Sequence, residues 1–414
     1  MRSCHLSLAG FLLGLVPVQA GDWPAFRGPA GDGLAVNEPL PEKIDPAKAK
    51  WTTPIEGKGW SSPVVANGKI FLTTAIPSGN ANPPDQILTV LCLDALNGKI
   101  LWSKTVFSLE GAKAPRIHSK NSHASPTPIC HKGRVFVHFG HLGTACLDES
   151  GEILWKIPGL YSKPVHGNGG SPILVDEKLI FSCDGLDAQK LVALQASTGK
   201  VLWSTARDAK PSKPFSFSTP TLIEVNGKKQ VISQGSDMVG GYDPESGKEI
   251  WRLRYQGYSI IPKPVFSNGL LFFSTGYDKA VLYAIRTDGT GDVTDTHVAY
   301  KVERNAPHTP SPLVFGKELY LVADNGVASC LDAATGKVHW QERLAGAYSA
   351  SPMISQGRIY FQSEEGKSSV ARTGTKFELV STSDFADRTL ASYAVADGQL
   401  LVRTEKKLLA LPLK

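Results

Sequence analysis

Four histidines, His118, His123, His166 and His308, and three aspartates, Asp184, Asp278 and Asp324, are the side chains of this sequence best suited to ligate a metal or carry a proton. The histidines stand in the polar stretches "RIHSKNSH" (116–123), "KPVHGNGG" (163–170) and "ERNAPH" (303–308), which also hold Arg116, Asn121, Lys163, Asn168 and Arg304. Arg388 lies in a similar stretch, "ADRTLA" (386–391). Imidazoles, amides and cations in this mixture suit recognition of a polar ligand, whereas a metal shell would need several of them to converge. No G-x-S-x-G elbow accompanies them; Ser171 in "GNGGSP" only precedes a strand, as Ser or Thr does elsewhere in the chain. "GTGDVTDTH" lacks the Lys-Ser/Thr of a phosphate loop. We therefore assign no catalytic residue and no metal site, and take these residues, Asp184 excepted, as ligand-binding candidates.

What must position them is a repeat. "LCLDALNGKILW" ends at Trp102, "ACLDESGEILW" at Trp155, "VALQASTGKVLW" at Trp203, "GGYDPESGKEIW" at Trp251 and "SCLDAATGKVHW" at Trp340. Each reads as a strand, a tight turn and a second strand: the acid bonds its own following backbone and glycine accepts positive φ. Trp51 to Trp251 are spaced by 51, 53, 48 and 48 residues, and the 89-residue gap to Trp340 is bridged by Tyr300. Phe377 in "TKFELVS" is taken as a last, weaker copy. Upstream of each hairpin a second one begins at Pro63, Pro126, Pro172, Pro220, Pro264, Pro312 and Pro352, with Ala394 at the eighth place. Two hairpins per period make four strands, the grammar of a β-propeller.

The fold class is therefore all-β, an eight-bladed propeller of four-stranded antiparallel blades. Seven blades is the alternative, because the unit around Phe377 lacks its Trp and the last one stops after three strands. The missing strand is supplied by "AKWTTPIEG" near Trp51, which closes the ring and leaves no open edge. The six docking tryptophans, Trp51, Trp102, Trp155, Trp203, Trp251 and Trp340, are expected to be buried between blades. The Gly-Lys turns fall on one face, and the histidine-bearing loops surround the channel mouth on the other. His118 and His123 of blade 2 and His308 of blade 6 then stand opposite one another, which argues against one metal shell.

Composition agrees. A chain of 414 residues, 42% hydrophobic and 20% charged, with 40 glycines and 28 prolines, can bury a large core of short strands. Residues 1–20 combine Arg2, an apolar run from Leu6 to Val18 and small residues before Gly21, the pattern of a cleaved secretory leader. Cys4 precedes the apolar run, so there is no lipobox, and no membrane-spanning segment follows cleavage. The expected layout is a leader over 1–20, an extension over 21–50 and one propeller domain over 51–414, monomeric and periplasmic or secreted. The leader's loss takes one arginine from the net charge of +6, and +5 spread over this length is no nucleic-acid footprint. Cys92, Cys146 and Cys330 share one repeat position and, with Cys130 and Cys183, read as small buried apolar residues rather than a disulfide frame.

The Asp-x-x-x-Gly-x-x-x-Trp hairpin followed by Ser-Pro resembles the tryptophan-docking repeat of the pyrroloquinoline quinone (PQQ)-type β-propellers. "GDWPAFRGPAGDGLA", "HSKNSHASPTP" and "PHTPSPL" look like exported bacterial members of unassigned activity. The resemblance implies the fold over 51–414 and two kinds of function: quinoprotein alcohol dehydrogenases, and scaffolds such as the lipoprotein of the outer-membrane β-barrel assembly machinery. The dehydrogenases carry inserted loops, an adjacent Cys-Cys pair over the quinone, a calcium held by Glu and Asn, and a catalytic Asp. This chain has no Cys-Cys pair, no C-x-x-C-H haem motif, one insertion near 76–87 and one long connection over 108–122. Arg116, Lys163, Arg304 and Arg388 could pair with the carboxylates of PQQ, but no acidic pair is placed to hold calcium. The expectation is a binding or scaffold module without cofactor, recognising a protein, peptide or polysaccharide on the His/Arg/Asn-rich face; PQQ with calcium, and an outer-membrane assembly role, are the alternatives.

Overall fold

A computed structural model describes residues 21–36, 38–111 and 117–413; the proposed leader and Arg116 lie outside them. Among the described residues eight sheets, each built on four antiparallel strands running outward from a central axis and one carrying a short fifth, form the ring. The innermost strands are short, as in Val64–Ala66 and Ile129–His131, because little room remains near the axis. The ring closes as the repeat count requires: Trp51–Pro54 pairs antiparallel with Lys407–Pro412, Trp51 opposite Ala410 and Pro54 opposite Lys407. One blade therefore takes its outer strand from the start of the chain and its other three from the end.

The hairpin grammar has a packing cause. The two outer strands slip by one residue at Cys92/Leu93, Cys146/Leu147, Gly241/Tyr242 and Cys330/Leu331, a bulge that recurs just beside the tryptophan pairing. Small residues face the indoles across this bulge: Cys92 opposite Trp102, Cys146 opposite Trp155, Ala193 opposite Trp203, Gly241 opposite Trp251. All five described cysteines are buried and unpaired, which makes them fillers. Each indole then lies on the turn of the next blade. Trp51 Nε1 donates to the Ala95 carbonyl at 3.2 Å, Trp155 to Ala196 at 2.9 Å and Trp203 to Pro244 at 3.2 Å. A Cβ on the turn glycines Gly98, Gly199 or Gly247 would stand 2.3–2.6 Å from the ring, and each has φ near +72°, so both the space and the backbone demand glycine.

The docking positions depart from the expected pattern in two ways. Trp51, Trp102, Trp155 and Trp203 are only part-buried, whereas Trp340 is buried and Trp251 is wholly so, at 0% exposure. Trp251 is sealed because the long turn of the next blade sends Gly291–Asp292 alongside Glu249–Arg254 as a parallel fifth strand, and its Nε1 donates to Gln230 of its own blade instead. Phe377 is not a docking residue. The register puts Ser381 at the tryptophan place, opposite Val370, while Phe377 packs on Trp340 with ring centroids 5.0 Å apart. The space that a tryptophan would fill is taken by the N-terminal extension. Leu40 and Ile44 are buried there, and Tyr360 Oη donates to the carbonyls of Leu40 and Pro41.

The same extension crosses the end of the channel remote from the mouth. Trp23 bridges to Val65, the Pro24 carbonyl accepts from Cys130 N at 2.8 Å, and Leu34 bridges to Ile354. Buried Arg27 donates to the Pro312 carbonyl at 2.9 Å, and Lys263 Nζ to the Gly31 carbonyl at 2.8 Å. Burial, with Arg27 nearby, lowers the Lys263 ammonium to about 7, which marks how completely this strut is withdrawn from water.

A closed cup at the channel mouth

With its far end covered, the channel becomes a cup of about 800 Å³ whose lining includes Phe26 of the extension. Its wall is built from the residue that precedes each innermost strand. Ser62 N donates to Thr127 Oγ1, Thr127 N to Ser171 Oγ and Ser171 N to Thr219 Oγ1, all at 2.9–3.0 Å. Lys263 occupies the next place and offers no such acceptor. The chain of bonds resumes from Lys263 N to Ser311 Oγ and from Ser311 N to Ser351 Oγ. Ser351 N then donates to Ser392 Oγ, and Ser392 N closes on Ser62 Oγ. Seven hydroxyls thus form a belt joining successive blades, and the Ser/Thr before each inner strand is a wall residue as well as a repeat residue.

One side of the rim is aromatic. Ring centroids run from His118 to His166 at 5.7 Å, to Phe215 at 5.3 Å, to Tyr258 at 5.5 Å, to Tyr277 at 6.4 Å and to His308 at 5.8 Å. Five of these rings come from connections between blades, and Tyr277 follows the second strand of blade 5. Ser259 and Asp278, next to the two tyrosines, are held at φ of +56° and +71°; such left-handed conformations in non-glycine residues concentrate at functional sites. The other side is ionic and apolar. Lys120 Nζ meets Glu364 at 2.7 Å, Glu364 also accepts from Ser349 Oγ, and Arg388 lies over the Trp60 ring at 5.5 Å.

The predicted residues divide on this geometry. His118, Asn121, His166, Asp278, His308 and Asp324 line the cup. Asn121 is a brace as well, donating to the His166 carbonyl at 2.7 Å. Arg388 reaches the cup only through Trp60. His123, Lys163, Asn168 and Arg304 are not among the lining residues; Asn168 is buried, with Nδ2 donating to the Gly170 carbonyl at 3.3 Å, and Lys163 and Arg304 are exposed. Burial, with Lys58 nearby, lowers the His123 imidazole, and burial, with His118 nearby, lowers that of His166, so both favour the neutral form. Asp184 is 3% exposed and grips Arg207 through two bonds of 2.9 and 3.0 Å, so it ties strands together and does not line the cup. Trp60, Tyr258, Tyr277 and the belt hydroxyls line the cup too, although none of them stands out in the sequence as a polar candidate.

The two candidate carboxylates of the cup are already engaged. Asp324 accepts from His308 N, Thr309 N and Thr309 Oγ1, and Asp278 accepts from Tyr258 Oη at 2.8 Å with Lys213 at 3.7 Å. Among the described residues no three His, Cys, Asp or Glu side chains are grouped to hold a metal ion. Among the described residues, neither lining aspartate is left free to hold a hard cation such as calcium.

The closed ring and the indoles docked on neighbouring turns define a β-propeller of the tryptophan-docking type. The chain belongs to the PQQ-like propeller family described as outer membrane protein assembly factor BamB, whose profile matches residues 43–158, 88–299 and 292–411. The outer membrane protein assembly factor BamB of Shewanella oneidensis is 23% identical over 366 residues, 83% of this chain and 86% of its own. The quinohemoprotein alcohol dehydrogenase ADH IIB of Pseudomonas putida is 29% identical over 140 residues, and the chain spans only 19% of its length. The crystal structure of BamB from Moraxella catarrhalis superposes with a TM-score of 0.59 at 12% identity, covering 87% of this chain and 98% of that one, a likeness of fold.

Proposed function

We propose that this protein is an exported binding or scaffold module that receives its ligand, a protein, peptide or polysaccharide segment, in the cup at the channel mouth. The observation that carries the reading is the cup itself: a capped cavity of about 800 Å³ with a polar wall and an aromatic arc, the size and make-up of a ligand site. Kinship with outer membrane assembly factors supports a place in the cell envelope, as does the leader-like stretch at 1–20. No helix among the described residues is long and apolar enough to cross a membrane.

A photoreactive phenylalanine analogue at Tyr277, irradiated in the producing cell, should give a discrete adduct. The same analogue at Leu96, exposed on the turn face, should give none. Equal labelling from both positions, or none from Tyr277, would sink the reading. The proposal includes no quinone: after incubation with PQQ and calcium, gel filtration should leave no quinone absorbance on the protein and no dye-linked alcohol oxidation. Stoichiometric retention with substrate-dependent dye reduction would replace the scaffold by a dehydrogenase.

A further inference from the structure

The hydroxyl belt and the aromatic arc together restrict what the cup can hold. Each belt hydroxyl accepts its neighbour's backbone N–H, so its own proton is left to donate, and no described residue takes it. All seven residues are nine-tenths or more buried, with Ser62 and Thr127 at 2% exposure and Ser392 at 7%, yet they line the cavity. A ligand entering the cup therefore meets a ring of O–H donors that need acceptors, since a buried donor left unmade is costly.

Charge and backbone narrow the class. Lys120 is neutralised by Glu364, Asp278 lies beside Lys213 and Asp324 is consumed capping its loop, so the described lining residues have little charge to offer an ionic ligand. A peptide added as a strand would need free main-chain groups along the wall. The N–H groups there are already spent on the belt, apart from the one break at Lys263. What remains is a neutral molecule with many hydroxyl oxygens and flat apolar faces. Tyr277, 57% exposed between Tyr258 and His308 in the arc, is a ready stacking platform.

Resting on the reading that the cup is the ligand site, we propose that its ligand is a neutral oligosaccharide, seated with sugar faces on the arc of Tyr258 and Tyr277 and hydroxyls against the Ser/Thr belt. The test is calorimetric titration of the full mature chain with cellotriose, chitotriose, xylotriose and maltotriose, and separately with a library of neutral hexapeptides. At least one trisaccharide should bind, and Tyr277→Ala should weaken it by about tenfold. The melting temperature should stay unchanged, because Tyr277 is outside every buried cluster. Leu96→Ala on the opposite face should leave affinity as it is. No binding of any of the four sugars, or binding that Tyr277→Ala does not touch, overturns the glycan assignment. Peptide binding that depends on Tyr277, without sugar binding, overturns it while preserving the cup as a ligand site. Neither class binding removes both readings.

Discussion

Mature protein lacking residues 21–56 should show no cooperative thermal transition near that of the full chain, and should elute as aggregate on gel filtration. The deletion removes the four-residue outer strand paired with Lys407–Pro412 and leaves that strand as an open edge. It also strips Trp23, Leu40, Ile44 and Ile55, all at most 6% exposed, from the packing around the first and the last two blades. At roughly 1.5–3 kcal/mol for each large buried apolar side chain, that loss is comparable to the whole stability of an ordinary domain. A truncated protein that melts within a few degrees of the full chain would show that closure does not depend on this strand.

The largest single-residue effect is expected at Trp251. It is wholly buried, and its Nε1 bonds Gln230 at 2.8 Å, so Trp251→Ala leaves both a cavity and an orphaned amide. The expected cost is about 3–5 kcal/mol, read as a lowered urea midpoint. Trp203→Ala, at the same repeat position but part-buried, should cost less than half as much. Equal costs would mean that the docking bond, not burial, carries the energy.

The ring was readable in the chain because its constraints are local and repeated. An acid, a glycine and a tryptophan at fixed spacing each answer to one steric demand, and the closing strand near Trp51 follows from counting. Failures came where one part of the chain does another's work: Phe377 matched the aromatic pattern, but Leu40 and Ile44, more than 330 residues earlier, fill the gap. The cup was legible only in part. Histidines, amides and charged residues draw attention by type, and six of those named line it. Tyr258, Tyr277 and the belt hydroxyls are ordinary residues whose role arises from eight connections meeting at one axis, and only the serine or threonine before each inner strand left a trace in the repeat.

The extension that caps the channel also orders events in time. Its partners are Val65 and Cys130 near the start of the propeller, Pro312 and Ile354 far along it, and its final pairing is with residues 407–410. This extension, which precedes the propeller in the chain, can thus finish settling only after the last blade has been synthesised. Until then the nascent chain carries two unpaired strand edges and an uncapped bore, and contacts of such long sequence separation form slowly. Completion is therefore a single late step that seals edge and channel together, and a chain cut short at its C-terminus forfeits both.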